Sequence, residues 1–411
     1  MTMARIAIVS YFLPPGDEIG GLRPSALARH LAARGHEVLV LTHQTSPAEE
    51  GYRAVTVGCT EAGSPAGTGA GGASAGAGAT TGLAGLARRV LAIPDGKTRW
   101  ALRAARALKA EVRAGGLDAV ITTGPPHSVH LAAMWGLSRR RAGRPHWIVD
   151  MRDLWTDNPY YDYGETRRRI DRRIEARVMR AADAVVATTA GFARALEERH
   201  AIRAHSVLTG FDDRIAPPKR GPHEGPLRIV HAGSLYAGRR DPAPLIEAAA
   251  VLAAEGRVDA SRLRLSFIGP GLEPVADAAR RFGAAELVEL VGPLPHSETL
   301  AQLERADALL LVQWRSDDTA TEVPGKLFEY LALRKPVIAL GTAPEGEVAG
   351  ILAATGAGRV VDSVAECREA LEALLDGTLT GPEEAGLAGF GQSRMADAFE
   401  HIALGGEVAA G

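Results

Sequence analysis

Short apolar runs alternate with amphipathic stretches along almost the whole chain. Arg5 to Ser10 (RIAIVS) is compact and apolar and reads as a buried parallel strand. A Pro/Gly-rich loop follows, and then LRPSALARHLAARG, whose apolar positions recur at helical spacing up to Gly35. Glu37 to Leu41 (EVLVL) is the next strand. The same order recurs in DAVITT (Asp118 to Thr123) before a helix near His130 to Arg141, and in HWIVD (His146 to Asp150) before a loop and a long charged helix. DAVVATT (Asp183 to Thr189) precedes GFARALEERH, and HSVLTG (His205 to Gly210) closes the first half. Residues 213–226 are rich in Pro, Gly and charge and read as a linker. The alternation then restarts with LRIVHAG, LRLSFIG, LVELVG, DALLLVQ, PVIALG and the shorter GRVV. Two successive strand–helix series predict two doubly wound parallel sheets. A last helical pattern, from about Gly381 to Leu404, has no strand after it.

The predicted organisation is α/β: a Rossmann-like domain over residues 1–215, a second over 216–380, and a terminal helical segment over 381–411. Inside the first domain, residues 60–84 are almost entirely Gly, Ala, Ser, Thr and Pro and read as a flexible loop, either a passive insertion or a lid.

Composition adds three points. The chain of 411 residues has 47 basic and 49 acidic residues, which argues against a dedicated nucleic-acid protein. The charge is uneven: about 29 basic against 21 acidic residues up to residue 215, a net charge of roughly +8, and about −10 in the remainder. A basic first half suits an anionic membrane or an anionic acceptor, and equally a set of solvated helix faces. Cys59 and Cys367 have no metal spacing and suggest a reducing compartment. No segment reaches the ~18 uninterrupted apolar residues of a membrane span, so the reading is cytoplasmic, at most peripheral on a membrane.

The chemistry concentrates in TATEVPGKLFEYLALRKPVIALG. Pro324 and Gly325 lead into a helix on which Lys326 and Glu329, three apart, share one face near the N-terminus. Free N–H groups and the helix dipole suit a diphosphate there, Lys326 adds a full charge, and Glu329 suits two ribose hydroxyls. A plain surface Lys/Glu pair has the same spacing. In the first half, His127 follows the Pro125–Pro126 turn, with His130 as a rival. Asp150, Arg152 and Asp153 close a strand, an arrangement that suits polyol recognition and also a structural ion-pair cluster.

The string PGKLFEYLALRKPVIALG resembles the donor-site signature of retaining glycosyltransferase family 4, in a bacterial subgroup with the pattern PxKxFEY. SYFLPPGDEIGGLRPSALARHLAARGHEVLVLT, TTGPPHSVHLAA, IVDMRDLW, LTGFDD, HAGSLYAGRRDPAPLIEAA, FIGPG and LVGPLPHSETLAQLERADALLL resemble further family segments in the family's order. The resemblance implies the GT-B fold, two Rossmann-like domains with a cleft between them, and a last helix that crosses back to the first domain. It implies that Lys326 and a basic residue of the Gly238–Arg239–Arg240 turn neutralise the diphosphate, Arg240 being favoured and Arg239 the reserve. Glu329 then holds the ribose. Gly233, Gly269, Gly271 and Leu294 line the nucleotide pocket. Gly20 and Gly21 allow close approach of the first loop, with Arg23 adding charge behind it. His127 contacts the donor sugar, and Asp150, Arg152 and Asp153 face the acceptor. Many relatives carry a first glutamate eight positions before the second. Here that position is Thr321, with Glu322 one residue out of register, so Thr321, Glu322 or the backbone of Val323 and Pro324 takes its place.

The function so implied is transfer of a sugar from a nucleoside-diphosphate sugar, UDP-sugars favoured, to a hydroxyl or amine of a small molecule, lipid or saccharide, with retention. No cofactor is implied beyond that co-substrate, and no metal ligands stand out in the sequence. A sugar-nucleotide 2-epimerase and a non-catalytic sugar-nucleotide-binding subunit are the rival readings. A nicotinamide dehydrogenase is disfavoured, since no G-x-G-x-x-G follows the first strand.

Overall fold

Thirteen strands among the described residues form two all-parallel sheets. The computed structural model describes residues 3–14, 19–44, 51–58, 93–138, 143–159, 161, 163–214, 225–236, 238–314 and 320–406. The Gly/Ala-rich loop at 60–84 and most of the 213–226 linker lie outside them.

The first unit comprises Met1–Gly210 with Gln392–Gly411. Its elements are β1 (Arg5–Val9), α1 (Leu22–Ala33), β2 (Glu37–Thr42), β3 (Arg53–Thr56), α2 (Thr98–Ala114), β4 (Ala119–Gly124), α3 (Ser128–Gly136), β5 (His146–Met151), α4 (Glu165–Ala181), β6 (Ala184–Ala187), α5 (Ala190–His200) and β7 (His205–Ser206). The strand order is β3-β2-β1-β4-β5-β6-β7. Successive side chains of a strand point to opposite faces, and both faces here are covered. Ala7 and Val9 pack with α2, α3, α4 and α5, while Ile6 and Ile8 pack with α1 and the C-terminal helix. That explains why these strands read as continuous apolar runs rather than as alternation.

The second unit is Phe211–Gly391. It contains β8 (Leu227–Ala232), α6 (Ala243–Ala254), β9 (Leu263–Ile268), α7 (Glu273–Phe282), β10 (Val288–Gly292), α8 (His296–Glu304), β11 (Ala308–Val312), α9 (Gly325–Ala332), β12 (Val337–Leu340), α10 (Glu347–Thr355), β13 (Gly358–Val361), α11 (Val364–Leu375) and α12 (Glu384–Leu387). The order β10-β9-β8-β11-β12-β13 again reverses direction beside the unit's first strand. Crevices at the carboxyl ends of strands flanking such a reversal are where doubly wound sheets bind ligands.

The chain returns to the first unit at Gln392, later than the 380/381 boundary expected from the sequence. Residues 381–391 stay with the second unit: Gly381 lies against the Arg334 carbonyl, Leu387 is buried, and Phe211 donates its N–H to Phe390 O at 2.9 Å. That use of the backbone divides the expected 381–404 helix into α12 and α13 (Gln392–Ala403). Met395, Phe399 and Ile402 of α13 form a stripe at helical spacing against Ala26, Leu27 and Leu31 of α1. Its Glu400 takes hydrogen bonds from Arg34 (2.9 Å) and His36 (3.0 Å). The HSVLTG strand is also shorter than expected. Only His205 and Ser206 pair with β6; Val207 N–H still reaches Ala187 O at 2.9 Å, while its carbonyl accepts from Arg23. No helix among the described residues is long and apolar enough to cross a membrane.

Candidate active site

In the second unit, β8 and β11 flank the reversal, and Gly233 ends β8 with φ +127°. A Cβ on Gly233 would lie 2.5 Å from Lys326 Nζ, so glycine leaves the space through which the lysine reaches across the strand end. Lys326 donates from Nζ to Ala232 O at 2.9 Å. It stands in the first turn of α9, whose N-terminus follows Pro324 with no side-chain cap. The uncapped N–H groups and the ammonium thus lie in the same turn, an arrangement that suits an anion.

The turn after β8 separates the two arginines that the sequence leaves as alternatives. Tyr236 adopts φ +50°, and Arg240 N–H returns to Leu235 O at 3.1 Å. Arg240 is folded inward, only 8% exposed, over the Tyr236 ring at 4.5 Å. Its Nε is buried without a hydrogen-bond partner among the described residues. Arg239 is exposed and lies over the Trp314 ring at 4.8 Å. Burial, and next the Arg240 cation, depress the Lys326 ammonium to about 7, with Glu329 and Glu322 opposing. The depressed ammonium and the under-satisfied guanidinium concentrate positive charge at this strand end.

Glu329 is half-buried one turn further along α9. Burial raises its carboxyl above the ordinary range, and His296 and Lys326 hold it back. His296, at the start of α8, escapes a reading of the sequence because only the tertiary fold brings its charge near Glu329, 33 residues away. Gly269 (φ +140°) ends β9. A Cβ there would meet Gly233 O at 2.4 Å, so the two strand-end glycines lie backbone to backbone. Gly271 (φ +70°) opens the next turn, and Gly269 N–H bonds Gly292 O at 2.9 Å, which brings the β10 end and half-buried Leu294 to the same edge. Thr321, Glu322 and Val323 are half-buried and Pro324 is buried, and Glu322 O accepts from Gln313 Nε2 at 3.4 Å.

In the first unit, the loops after β1, β4 and β5 meet at the corresponding reversal. His127 begins α3 and is half-buried, stacked on Trp155 at 4.7 Å with rings 5° apart. Trp155 is a partner that no spacing in the sequence announces. Burial, then His130 and Arg152, hold the His127 imidazole well below its ordinary pKa, so it is neutral at pH 7. His130 is fully buried. Thr122 Oγ1 donates to Ile148 O and so accepts from Trp147 Nε1 (3.0 Å) and His130 Nδ1 (2.9 Å), which makes His130 a packed core residue.

Two expected acceptor contacts are corrected here. Asp150 is fully buried, and its carboxylate is consumed by Arg23 (2.9 and 3.0 Å) and Thr123 Oγ1 (2.8 Å). Arg23 is itself 2% exposed, so it supplies no charge to a ligand. Arg152 donates to the carbonyls of Gly124 (3.1 Å), Gly20 and Pro125. It clamps the β1 and β4 loops together, each of its three nitrogens donating to a backbone carbonyl. Gly20 and Gly21 are tight: a Cβ on Gly20 would meet Phe12 at 2.9 Å, and one on Gly21 would meet Pro14 at 3.1 Å. Of the carboxylates in this group, Asp153 alone is exposed.

The first unit matches the glycosyl transferase 4-like domain over residues 20–209, and the second matches glycosyl transferases group 1 over residues 226–376. The two matches take in most of the chain, which belongs to the glycosyltransferases. No curated protein matches it by sequence. Among solved structures it is similar to a glycosyltransferase from Rickettsia africae ESF-5, with 14% identity, 98% of each chain covered and TM-score 0.61. It is also similar to a sucrose-phosphate synthase from Thermosynechococcus elongatus (17% identity, 98% and 97% covered, TM-score 0.59). A third is a glycosyltransferase involved in lipopolysaccharide biosynthesis (16%, 98% and 100%, TM-score 0.54). At these identities the likeness is one of fold, GT-B.

Proposed function

We propose that the protein transfers a glycosyl group from a nucleoside-diphosphate sugar to an acceptor hydroxyl or amine, with retention at the anomeric carbon. The observation that carries this reading is the meeting of Lys326, Arg240 and the uncapped N-terminus of α9 at the β8/β11 crevice. The barrier in such a transfer is departure of the diphosphate. Fixed positive groups lower it because they bind the charge more strongly as it develops on the leaving oxygen. Lys326 and Arg240 supply that charge from the protein, so the proposal needs no divalent cation. Glu329 accepts hydrogen bonds from the ribose hydroxyls, and the strand-end glycines admit the nucleoside. Thr321, Glu322 or the adjoining backbone contacts the transferred sugar. The acceptor is assigned to the first unit, at exposed Asp153, and neutral His127 keeps the donor-sugar role that the resemblance implies. Retention rests on the resemblance of PGKLFEYLALRKPVIALG to retaining enzymes. A cytoplasmic location belongs to the same proposal and rests on the free thiol of buried Cys367.

The test is a thermal-shift series with nucleoside diphosphates, UDP first, followed by product analysis with the matching sugar nucleotides. A rise in the unfolding midpoint with one diphosphate, then a glycosylated acceptor, is expected. Formation of an epimerised nucleotide sugar without acceptor would assign the 2-epimerase reading instead. Binding with no turnover across acceptors would leave a non-catalytic subunit.

The reading also carries a pH dependence. In the free protein Lys326 loses its proton as pH rises through about 7, whereas a bound diphosphate favours the ammonium. Above pH 7 binding must therefore take up a proton, and affinity falls by up to about tenfold per pH unit. Calorimetry in two buffers of different ionisation enthalpy should show this uptake at pH 8 and lose it in Lys326→Ala. Equal uptake in both proteins would assign the proton to another group.

A further inference from the structure

We propose that the outer face of α2, α3 and α4 docks the protein on an anionic lipid bilayer. These helices pack in that order on one face of the first unit's sheet, with α3 between the other two. Arg99, Arg106 and Arg113 are exposed along α2, and Arg169, Arg173 and Arg177 along α4. At 100° per residue each set falls within one stripe of its helix. Beside Arg173 and Arg177, Arg172 and Arg180 line a shallow dip on the α4 surface.

The carboxylates of these helices are turned away from that face. Glu111, the one acid of α2, pairs with Arg5 (3.0 Å) and Arg53 (2.8 Å). On α4, Asp171 and Glu175 are buried, taking hydrogen bonds from Tyr161 (2.7 Å) and Thr156. Only Glu165, in the first turn of α4, is an exposed acid of the three helices. The face is therefore strongly basic on a chain whose net charge is only −2.

Charge alone would fit any polyanion. What selects a bilayer is the apolar side chains set among the arginines: Leu102 on α2 is 45% exposed, Trp135 on α3 40% and Ile170 on α4 38%. Leucine and isoleucine gain nothing against a nucleic-acid backbone, whereas in a bilayer they enter the acyl boundary and tryptophan settles at the headgroup level. Trp135 projects from the helix between the two basic ones, so lipid contact and phosphate contact are made by one surface.

The full-length protein would be floated with vesicles of phosphatidylcholine alone and of phosphatidylcholine mixed with phosphatidylglycerol. Binding to the mixed vesicles only is expected, weakening as salt is raised. Each basic residue near an anionic surface contributes roughly a fivefold gain in partition. The triple change Arg169→Gln, Arg173→Gln, Arg177→Gln should thus lose roughly hundredfold, with an unchanged unfolding midpoint. The set Arg99→Gln, Arg106→Gln, Arg113→Gln repeats the test on α2, in case the first variant folds poorly. Trp135→Ala should weaken binding severalfold even at high salt. Equal binding to both vesicle types, undiminished binding of both triple variants, or retention by duplex DNA with none by vesicles would overturn the proposal. None of these outcomes depends on the donor site.

Discussion

Lys326→Ala is expected to remove the stabilisation that a nucleoside diphosphate confers and to lower turnover by about 10² to 10³, the usual loss when one preorganised charge donor is deleted. The lysine is placed for this and little else. Its one hydrogen bond among the described residues goes to Ala232 O, and Gly233, at φ +127°, leaves the side chain room to pass. The free protein should not suffer. Lys326 has a folded pKa of about 7 against an ordinary 10.5, so burial makes the ammonium costly at neutral pH. The unfolded chain binds the proton more tightly between those values, and stability attributable to this group rises with pH across that window. The variant should therefore melt at or above the wild-type midpoint at pH 7 while binding a diphosphate too weakly to raise that midpoint. Functional residues often have this profile. A variant that melts lower yet still responds to UDP would show that Lys326 is structural and the donor site lies elsewhere.

Asp150→Ala is expected to destabilise the first unit by about 3–5 kcal/mol, the cost of leaving a buried partner charge uncompensated. At roughly 2–4 °C per kcal/mol for a domain of this size, the midpoint should fall by about 10 °C. Arg23 would be stranded with 2% exposure, still against Val207 O (3.0 Å) and the Phe399 ring (5.2 Å). That guanidinium joins α1, β5, the end of β7 and the C-terminal helix, so its loss of register should loosen α13 as well. Replacing both residues by Leu should recover much of the loss, because the desolvation cost disappears with the charges. A loss below about 1 kcal/mol in Asp150→Ala, measured by denaturant unfolding, would mean the pair is solvated.

The apolar runs located most strands within a residue or two, since strands buried on both faces must be apolar throughout. β3 and α2 escaped that signal: β3 has no fully buried residue, and the stripe of α2 is made largely of small Ala residues around Trp100 and Leu108. Lys326 and Glu329 were legible because a three-residue spacing on a helix is itself a geometry. Asp150 and Arg152 were misread for the opposite reason. Their types suit sugar hydroxyls, but what consumes them is Arg23, 127 residues away from Asp150, and the carbonyl of Gly20, 132 residues away from Arg152.

By itself, then, the sequence determined two doubly wound sheets, the helix that carries Lys326 and Glu329, and the strand-end glycines. Each follows from local spacing and from the need to bury apolar side chains on both sides of a parallel sheet. Only the tertiary structure decided that Arg240 turns inward while Arg239 lies over Trp314, that His127 stacks on Trp155, and that Asp150 and Arg152 serve the scaffold. Those assignments depend on which groups meet across long stretches of chain. A buried charge or polar atom takes whichever partner the packing brings within hydrogen-bond distance, and that partner has no spacing in the sequence by which to be found.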